Sequence, residues 1–339
     1  MRYSTVCACK WLIKFTAAII VIVITFCIGL HSETSKNHNA TLVSPKPTLS
    51  PEEGLQIYIK NLSSWQDHND SAIVNSHPYQ YLIVPTKICK LNGAVSDPFL
   101  LIVVKSYVSN IGHREGIRAT WGKDLPSSVR LVFILGHLDF MKSYIAIESR
   151  RYKDIIQEDF FDVYRNNTVK TIMGFNWAVD NCKESQYTFF VDDDYIVNIP
   201  KLLTYIKSHQ KNSKGLGLYA GYMWEKAFPK RTNLSKWYVP YKDYPCVYWP
   251  KYVGGGSMMI SMDVATKMKE AFPYIKPIFI DDVYIGIVAA TLGIKVKMEG
   301  RFSPDYKPNN IGVLYSTHGV ASSSALIHDW EMIKSKIRK

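Results

Sequence analysis

Several signatures are missing from this chain of 339 residues. It has no zinc-ligand spacing of cysteine and histidine, no aromatic signature of an RNA-binding sheet and no long basic helix. The formal net charge of +12 therefore has no place where it is concentrated for a nucleic acid. It is spread thinly, apart from a small knot at Lys334, Lys336, Arg338 and Lys339, and reads as a generic basic surface with no nucleic-acid partner. Internal repeats are also absent. Cysteine is scarce. Of six, only Cys89, Cys182 and Cys246 lie beyond the N-terminal apolar run. An odd number allows one disulfide and leaves one thiol over, without saying which two pair.

Hydrophobic residues make up 47% of the chain, enough to bury a full-sized core. An uncharged apolar stretch from Phe15 to Leu30, extended by Trp11, Leu12 and Ile13, approaches the roughly 20 residues that span a bilayer. Lys14 lies near its end, where a long side chain snorkels to the interface. Arg2, Lys10 and Lys14 precede or open the run and Glu33 follows it, so the positive-inside rule keeps the N-terminus cytosolic. The run is long for a signal peptide, and no small-residue cleavage site follows it. The expectation is a single-pass type II protein: a cytosolic tail over 1–10, a signal anchor over 11–30, a luminal stem over 31–78 and a catalytic domain over 79–339. The stem assignment rests on Ser, Thr, Asn and Pro content, with one or two helical turns over 55–62. Sequons stand at Asn39, Asn61, Asn69, Asn166 and Asn233.

Beyond residue 79, strand and helix patterns alternate. Phe99 to Val104 is a continuous apolar run, as in a buried parallel strand. A short helix over 114–121 carries Arg114 and Arg118 on one face. A strand over 130–135, a helix over 139–152, a short strand over 155–160 and a helix over 168–182 follow. This order implies an α/β domain with a mostly parallel sheet.

Tyr187 to Val191 then reads as a buried strand that ends in Asp192, Asp193 and Asp194. Strand alternation predicts that Asp192 and Asp194 point the same way. Three adjacent carboxylates repel one another, and a divalent cation relieves that conflict. Hard oxygen ligands suit Mg²⁺ or Mn²⁺ held together with substrate phosphates. The plain alternative is a solvated acidic turn before the helix that starts near Pro200. The position at a strand's C-terminal end favours a ligand site.

The rest of the chain adds four features. Residues 215–252 read as irregular and rich in Tyr, Trp and Pro, a composition that suits a sugar-binding wall. Gly254, Gly255 and Gly256 form either a tight turn or a close approach to a ligand. Asp281 and Asp282 open an apolar helix, where Asp281 reads as a plain N-cap, either acid can serve as a general base if its neighbours tune it, and the helix start favours the ionised form of Asp282. His318, in a loop, is a further candidate metal ligand.

The segment from His113 to Gly122 looks like the RRxxIRxTWG signature of the β1,3-galactosyltransferase and β1,3-N-acetylglucosaminyltransferase family. Asp192 to Asn198 is similar to that family's DDDVFVN, Tyr248 to Ser261 to its YPPYxxGGGYxxS, and Asp282 to Gly286 to its EDVYxG. Order and spacing agree over roughly residues 79–320. The resemblance implies a Golgi type II enzyme of GT-A (Rossmann-like) fold. Such an enzyme moves galactose or an N-acetylhexosamine, with inversion, from a UDP-sugar to the 3-hydroxyl of a glycan on a glycoprotein or glycolipid. It implies Mn²⁺, with Mg²⁺ as an alternative, on Asp194 and His318, with Asp192 and Asp193 beside it. Asp282 becomes the catalytic base, and Lys105, Arg114 and Arg118 lie near the uridine diphosphate. His113, Asp281 and Val253 depart from the pattern, where Arg, Glu and Cys are usual. A catalytically silent glycan-binding relative would have a damaged triplet or lack Asp282, and neither defect is seen here. A metal-dependent phosphoesterase would carry its own signatures, which are missing.

Overall fold

The computed structural model describes residues 50–67, 72–86, 88, 89 and 99–337. The expected tail and anchor, and most of the expected stem, lie outside these residues. Among the described residues, no helix is long and apolar enough to cross a membrane.

The chain runs α1 (Pro51–Ser63), β1 (Tyr81–Ile83), β2 (Leu100–Lys105), α2 (Ile111–Ala119), β3 (Val129–His137), α3 (Lys142–Tyr152), β4 (Ile155–Phe161) and α4 (Asn167–Asn181). It continues through β5 (Tyr187–Asp192), β6 (Tyr195–Val197), α5 (Ile199–Ser213), β7 (Tyr219–Trp224), β8 (Tyr252–Ser261), α6 (Met262–Ala271) and α7 (Asp281–Thr291). It ends with β9 (Lys297–Met298), β10 (Phe302–Ser303), β11 (Ser316–His318) and α8 (Ser323–Ile337). Eight strands form a mixed sheet in the order β1-β4-β3-β2-β5-β8-β7-β9. The central strands β4, β3, β2 and β5 are parallel, and β8 runs antiparallel to β5. β10, β11 and β6 make a second, three-stranded sheet.

The continuous apolar run of β2 has a direct structural cause. Leu101 and Val103 face one core, with α4, α6 and α7; Leu100, Ile102 and Val104 face the other, with α5 and α8. Both faces are covered, so neither can be polar. From β2 the chain moves to β3 and β4 on one side, then returns to place β5 on the other. β2 and β5 thus flank a topological switch point, where the strand ends of an open α/β sheet form a crevice. Register puts Lys105 beside Asp192 at that point.

Three expectations are corrected. Helix α1 falls within the expected stem but belongs to the folded body. It packs on α7, with Leu55 buried and the Tyr58 ring edge-on to Tyr244 at 5.0 Å. Its start is a capping box: Ser50 Oγ accepts from Glu53 N at 3.2 Å, and Glu53 Oε2 accepts from Ser50 N at 2.7 Å. The region taken as irregular contains the whole of β7, and the glycine run is neither turn nor loop but part of strand β8. The cysteine question resolves as a disulfide between Cys89 and Cys182, leaving Cys246 buried and free.

Candidate active site

The acidic triplet does not continue as a strand. β5 stops at Asp192, so the alternation expected to align Asp192 and Asp194 is lost, and each carboxylate finds a separate partner. Asp192 Oδ1 lies 3.0 Å from Lys105 Nζ. Asp193 Oδ2 accepts from Ser106 Oγ at 2.6 Å and Asn110 Nδ2 at 3.1 Å. Asp194 Oδ2 lies 3.0 Å from His318 Nε2. The β6–β11 ladder brings the last pair together by setting His318 opposite Tyr195. Trp121, from the His113–Gly122 segment, supports the same turn by donating its indole N–H to Tyr195 O at 2.9 Å.

Burial pushes the Asp192 carboxyl up to about 6 against the pull of Lys105. Its side chain is still 39% exposed, which tempers that push. Burial likewise raises Asp193. The hydrogen bond to Asp194 raises His318.

The Asp194–His318 pair fits a divalent cation. His318 Nδ1 lies 3.1 Å from Pro304 O, so it carries the proton and donates to that carbonyl. When Nε2 gives up its own proton, the neutral imidazole turns that lone pair toward the carboxylate, an arrangement that a shared cation satisfies. Asp194 Oδ1 is buried without a partner. Among the described residues no group of three or more His, Cys, Asp or Glu gathers as a metal cage. That is no obstacle for a cation bound by one or two protein ligands plus substrate phosphates.

Asp281 and Asp282 open α7, but neither caps it in the expected way; the N-cap position is Ile280. Asp281 Oδ2 instead accepts from Lys105 Nζ at 2.7 Å and from Thr171 Oγ1 at 2.8 Å. Burial opposes its charge, yet Lys105 and Thr171 hold it below the usual carboxylate range. Lys105 itself is held above its ordinary value, because Asp192 and Asp281 outweigh the cost of its burial. Asp282 is the opposite case. Burial, with the charge of Asp281, pushes it up to about 7. The expectation that the helix start keeps Asp282 fully ionised is therefore corrected: desolvation wins over the dipole.

Two cavities meet at the switch point. One, of about 480 Å³, is lined by Ser106, Asn110, Lys170, Asp193 and Asp194. The other, of about 570 Å³, is lined by Trp224, Phe228, Trp237, Tyr252, Asp281 and Asp282. Lys105, Tyr164, Asn167 and Asp192 line both. Trp237 Nε1 donates to Tyr164 Oη at 2.7 Å across the second cavity's rim. A third cavity, of about 610 Å³ beside α5 and α8, holds none of the candidate residues.

Arg114 and Arg118 are not brought to the cleft. Arg114 is fully buried, and its guanidinium makes five hydrogen bonds: two to Glu148 and one each to Ser106 Oγ, Tyr107 O and Val108 O. Five N–H groups are all a guanidinium has, so none is left for a diphosphate. Arg118 is bound to Glu148 and Asp154 and covers the Phe133 ring. Arg114 braces the loop after β2, whereas Arg118 ties α2 to α3 and to the segment ahead of β4. Sequence reasoning missed their partner Glu148, as well as Thr171, Asn110 and the Tyr164–Trp237 contact. Asn110 lies near His113 in the matched segment and was the one with a local signal.

The galactosyltransferase family profile matches residues 112–299, spanning α2 through β9 and so including both acidic sites. This chain belongs to the galactosyltransferase family. Its relatives within that galactosyltransferase group include the β1,3-galactosyltransferase brn of Drosophila melanogaster, 34% identical over 265 residues, covering 76% of this chain and 81% of that one. A lactosylceramide 1,3-N-acetyl-β-D-glucosaminyltransferase of Xenopus laevis is 33% identical over 276 residues, covering 76% and 71%. Human β1,3-galactosyltransferase 2 is 30% identical over 272 residues, covering 78% and 62%. The galactosyltransferase-family chain is a glycosyltransferase with a mixed α/β sheet. Its relatives imply a sugar donor and a glycan or glycolipid acceptor.

Proposed function

We propose that the protein is an inverting β1,3-hexosyltransferase that moves galactose or an N-acetylhexosamine from a UDP-sugar to a glycan 3-hydroxyl. The observation that carries this reading is the junction of the two cavities at Lys105 and Asp192. The Asp194–His318 pair serves one cavity, and Asp282 lies in the other. The diphosphate occupies the smaller cavity. The acceptor occupies the aromatic one, where rings with polar tips stack on sugar and still hydrogen-bond. The switch-point crevice supports a GT-A assignment.

Asp194 and His318 would hold Mn²⁺ or Mg²⁺, which when bound offsets the charge that develops on the departing diphosphate. Asp282 takes the proton of the acceptor hydroxyl. As that oxygen bonds to the anomeric carbon, the bond from carbon to diphosphate oxygen breaks on the opposite face, and configuration inverts. A base that titrates near 7 is matched to this step, since it is ionised for much of the time and still basic enough to draw the proton.

The same reading takes residues 11–30 as a signal anchor and the body as luminal in the Golgi. Relatives named for lactosylceramide support a glycolipid as one acceptor class. The test is to give the full chain a panel of UDP-sugars and β-linked acceptors, with Mn²⁺ or with a chelator. Linkage in the product is then read by NMR. Transfer to a position other than the 3-hydroxyl, or with retained configuration, would overturn the proposal.

A further inference from the structure

Three elements meet at Asp281. Its Oδ2 accepts from Lys105 at the end of β2 and from Thr171 on α4, and it opens α7. Lys105 in turn reaches Asp192 at the end of β5. Asp282, one residue on, has a different set of contacts. Its Oδ1 accepts from Val283 N at 2.8 Å and its Oδ2 from Gly255 N at 3.2 Å. Among the described residues no cation bonds it directly. Both carboxylates lie over Gly255: a Cβ there would stand 3.1 Å from Asp282 Cβ and 3.4 Å from Asp281 Oδ1. The strand surface beneath the two acids is therefore tight, and a side chain at Gly255 would make Asp282 give way by a few tenths of an ångström.

We propose that Asp281 is a positioning residue for Asp282, which it anchors through Lys105 and Thr171 and whose proton affinity it sets by its own fixed charge. The proposal rests on the reading of Asp282 as the base. A carboxylate that must ionise beside another carboxylate does so less readily. Asp281 can play that part because it stays ionised: a buried ammonium and a hydroxyl are committed to it. The lysine is thereby occupied and does not neutralise Asp282. An asparagine in place of Asp281 would keep the shape but remove this charge. Lys105 would then act on Asp282 uncompensated, and both changes lower the proton affinity of the base.

The charged and titratable groups that face Asp282 are few. Asp281 lies on its own helix, Lys105 comes from β2, and Asp192 lines the same cavity from β5; Glu225, paired with Lys251 at 2.6 Å, and Lys230 line that cavity too. Tyr164, Tyr195, Tyr219 and Tyr252 present hydroxyls that burial keeps protonated, so they carry no charge in the working range. Among these groups only Asp281 has a negative charge that is both adjacent and locked by partners.

The experiment is the pH dependence of kcat and of acceptor KM in the full-length chain, with Asp281→Asn, Asp281→Glu and Thr171→Val. Thermal unfolding and the ¹³C NMR titration of the Asp282 carboxyl are measured beside it. Asp281→Asn is expected to lower plateau kcat by about tenfold or more and to move the acidic limb down by about one pH unit. Asp281→Glu should return the limb toward wild type. Thr171→Val keeps the charge, so it should lower kcat a few-fold with the limb in place. A loss confined to melting temperature, with limb and kcat unmoved, would overturn the proposal. If Asp281→Asn does not fold, an unchanged kcat in Thr171→Val overturns it instead. Should the wild type transfer no sugar, the transferase reading fails, while the NMR shift of Asp282 still decides whether Asp281 sets its proton affinity.

Discussion

Arg114 and Glu148 are joined in the interior by two hydrogen bonds of 2.8 Å each, from Nε to Oε1 and from one terminal nitrogen to Oε2. This fork holds α2 to α3, and the rest of the guanidinium holds the segment of Ser106 to Val108. A residue expected from the family resemblance to touch the donor is thus part of the frame. Removing one partner of a buried charged pair leaves the other charge unpaired. Arg114→Met is expected to cost about 3–5 kcal/mol of stability. Calorimetry or urea unfolding checks this. A variant that melts like wild type but fails to bind UDP would restore the direct donor role.

Asp282→Asn keeps size and removes the proton acceptor. Turnover is expected to fall by about 10²-fold or more, with UDP binding almost unchanged. Because burial and Asp281 raise this carboxyl to about 7, the wild-type rate should climb with pH through that value as the base ionises. The wild-type limb is expected to be absent from the variant's residual rate. Equal loss of UDP affinity would move Asp282 into the donor site.

Asp194→Ala and His318→Ala remove the two groups that face each other across 3.0 Å. Each is expected to weaken Mn²⁺-dependent UDP binding, read by titration calorimetry with and without the metal, and to abolish transfer. Unchanged Mn²⁺-dependent affinity in both variants rejects the metal role.

Trp237→Ala breaks the contact with Tyr164 at the rim of the aromatic cavity. Acceptor KM should rise by about tenfold, the size expected from losing a stacking ring worth roughly 1 kcal/mol or more. Donor KM should stay within error. A change in donor KM alone would place the sugar acceptor elsewhere.

A chain that starts at residue 50 should fold and melt as the full chain does. One that starts at 77 loses α1, and with it the burial of Leu55, worth about 2 kcal/mol by itself. It should melt lower or fail to accumulate in soluble form. Equal melting temperatures would return 51–63 to the stem.

The parts of the fold legible in the sequence were those with a strong local pattern. The run around Leu100 to Val104 is buried on both faces, and such a strand cannot hide. The start of α6 at Met262 and of α7 at Asp281 was equally plain. Helix α1 was passed over because its surroundings are polar and rich in proline. Yet Ser50 and Glu53, three residues apart with Pro51 between them, already spell its capping box. The glycines of β8 looked like a turn because the reason for them is distant. A Cβ at Gly256 would stand 2.3 Å from the Tyr195 hydroxyl. Both acidic sites were visible as clusters, but their electrostatics were not. Lys105 and Asp281 are 176 residues apart, and no local rule joins them.

The Asp194–His318 pair closes a loop of 124 residues, and the strand that delivers His318 comes close to the end of the chain. During synthesis the aspartates are made long before their histidine. A nascent chain can form the parallel strands around β2 and β5 while this pair is still incomplete. A chain that stops after residue 194 and before residue 318 carries the three aspartates without this histidine, so the pair is among the later contacts that synthesis makes possible.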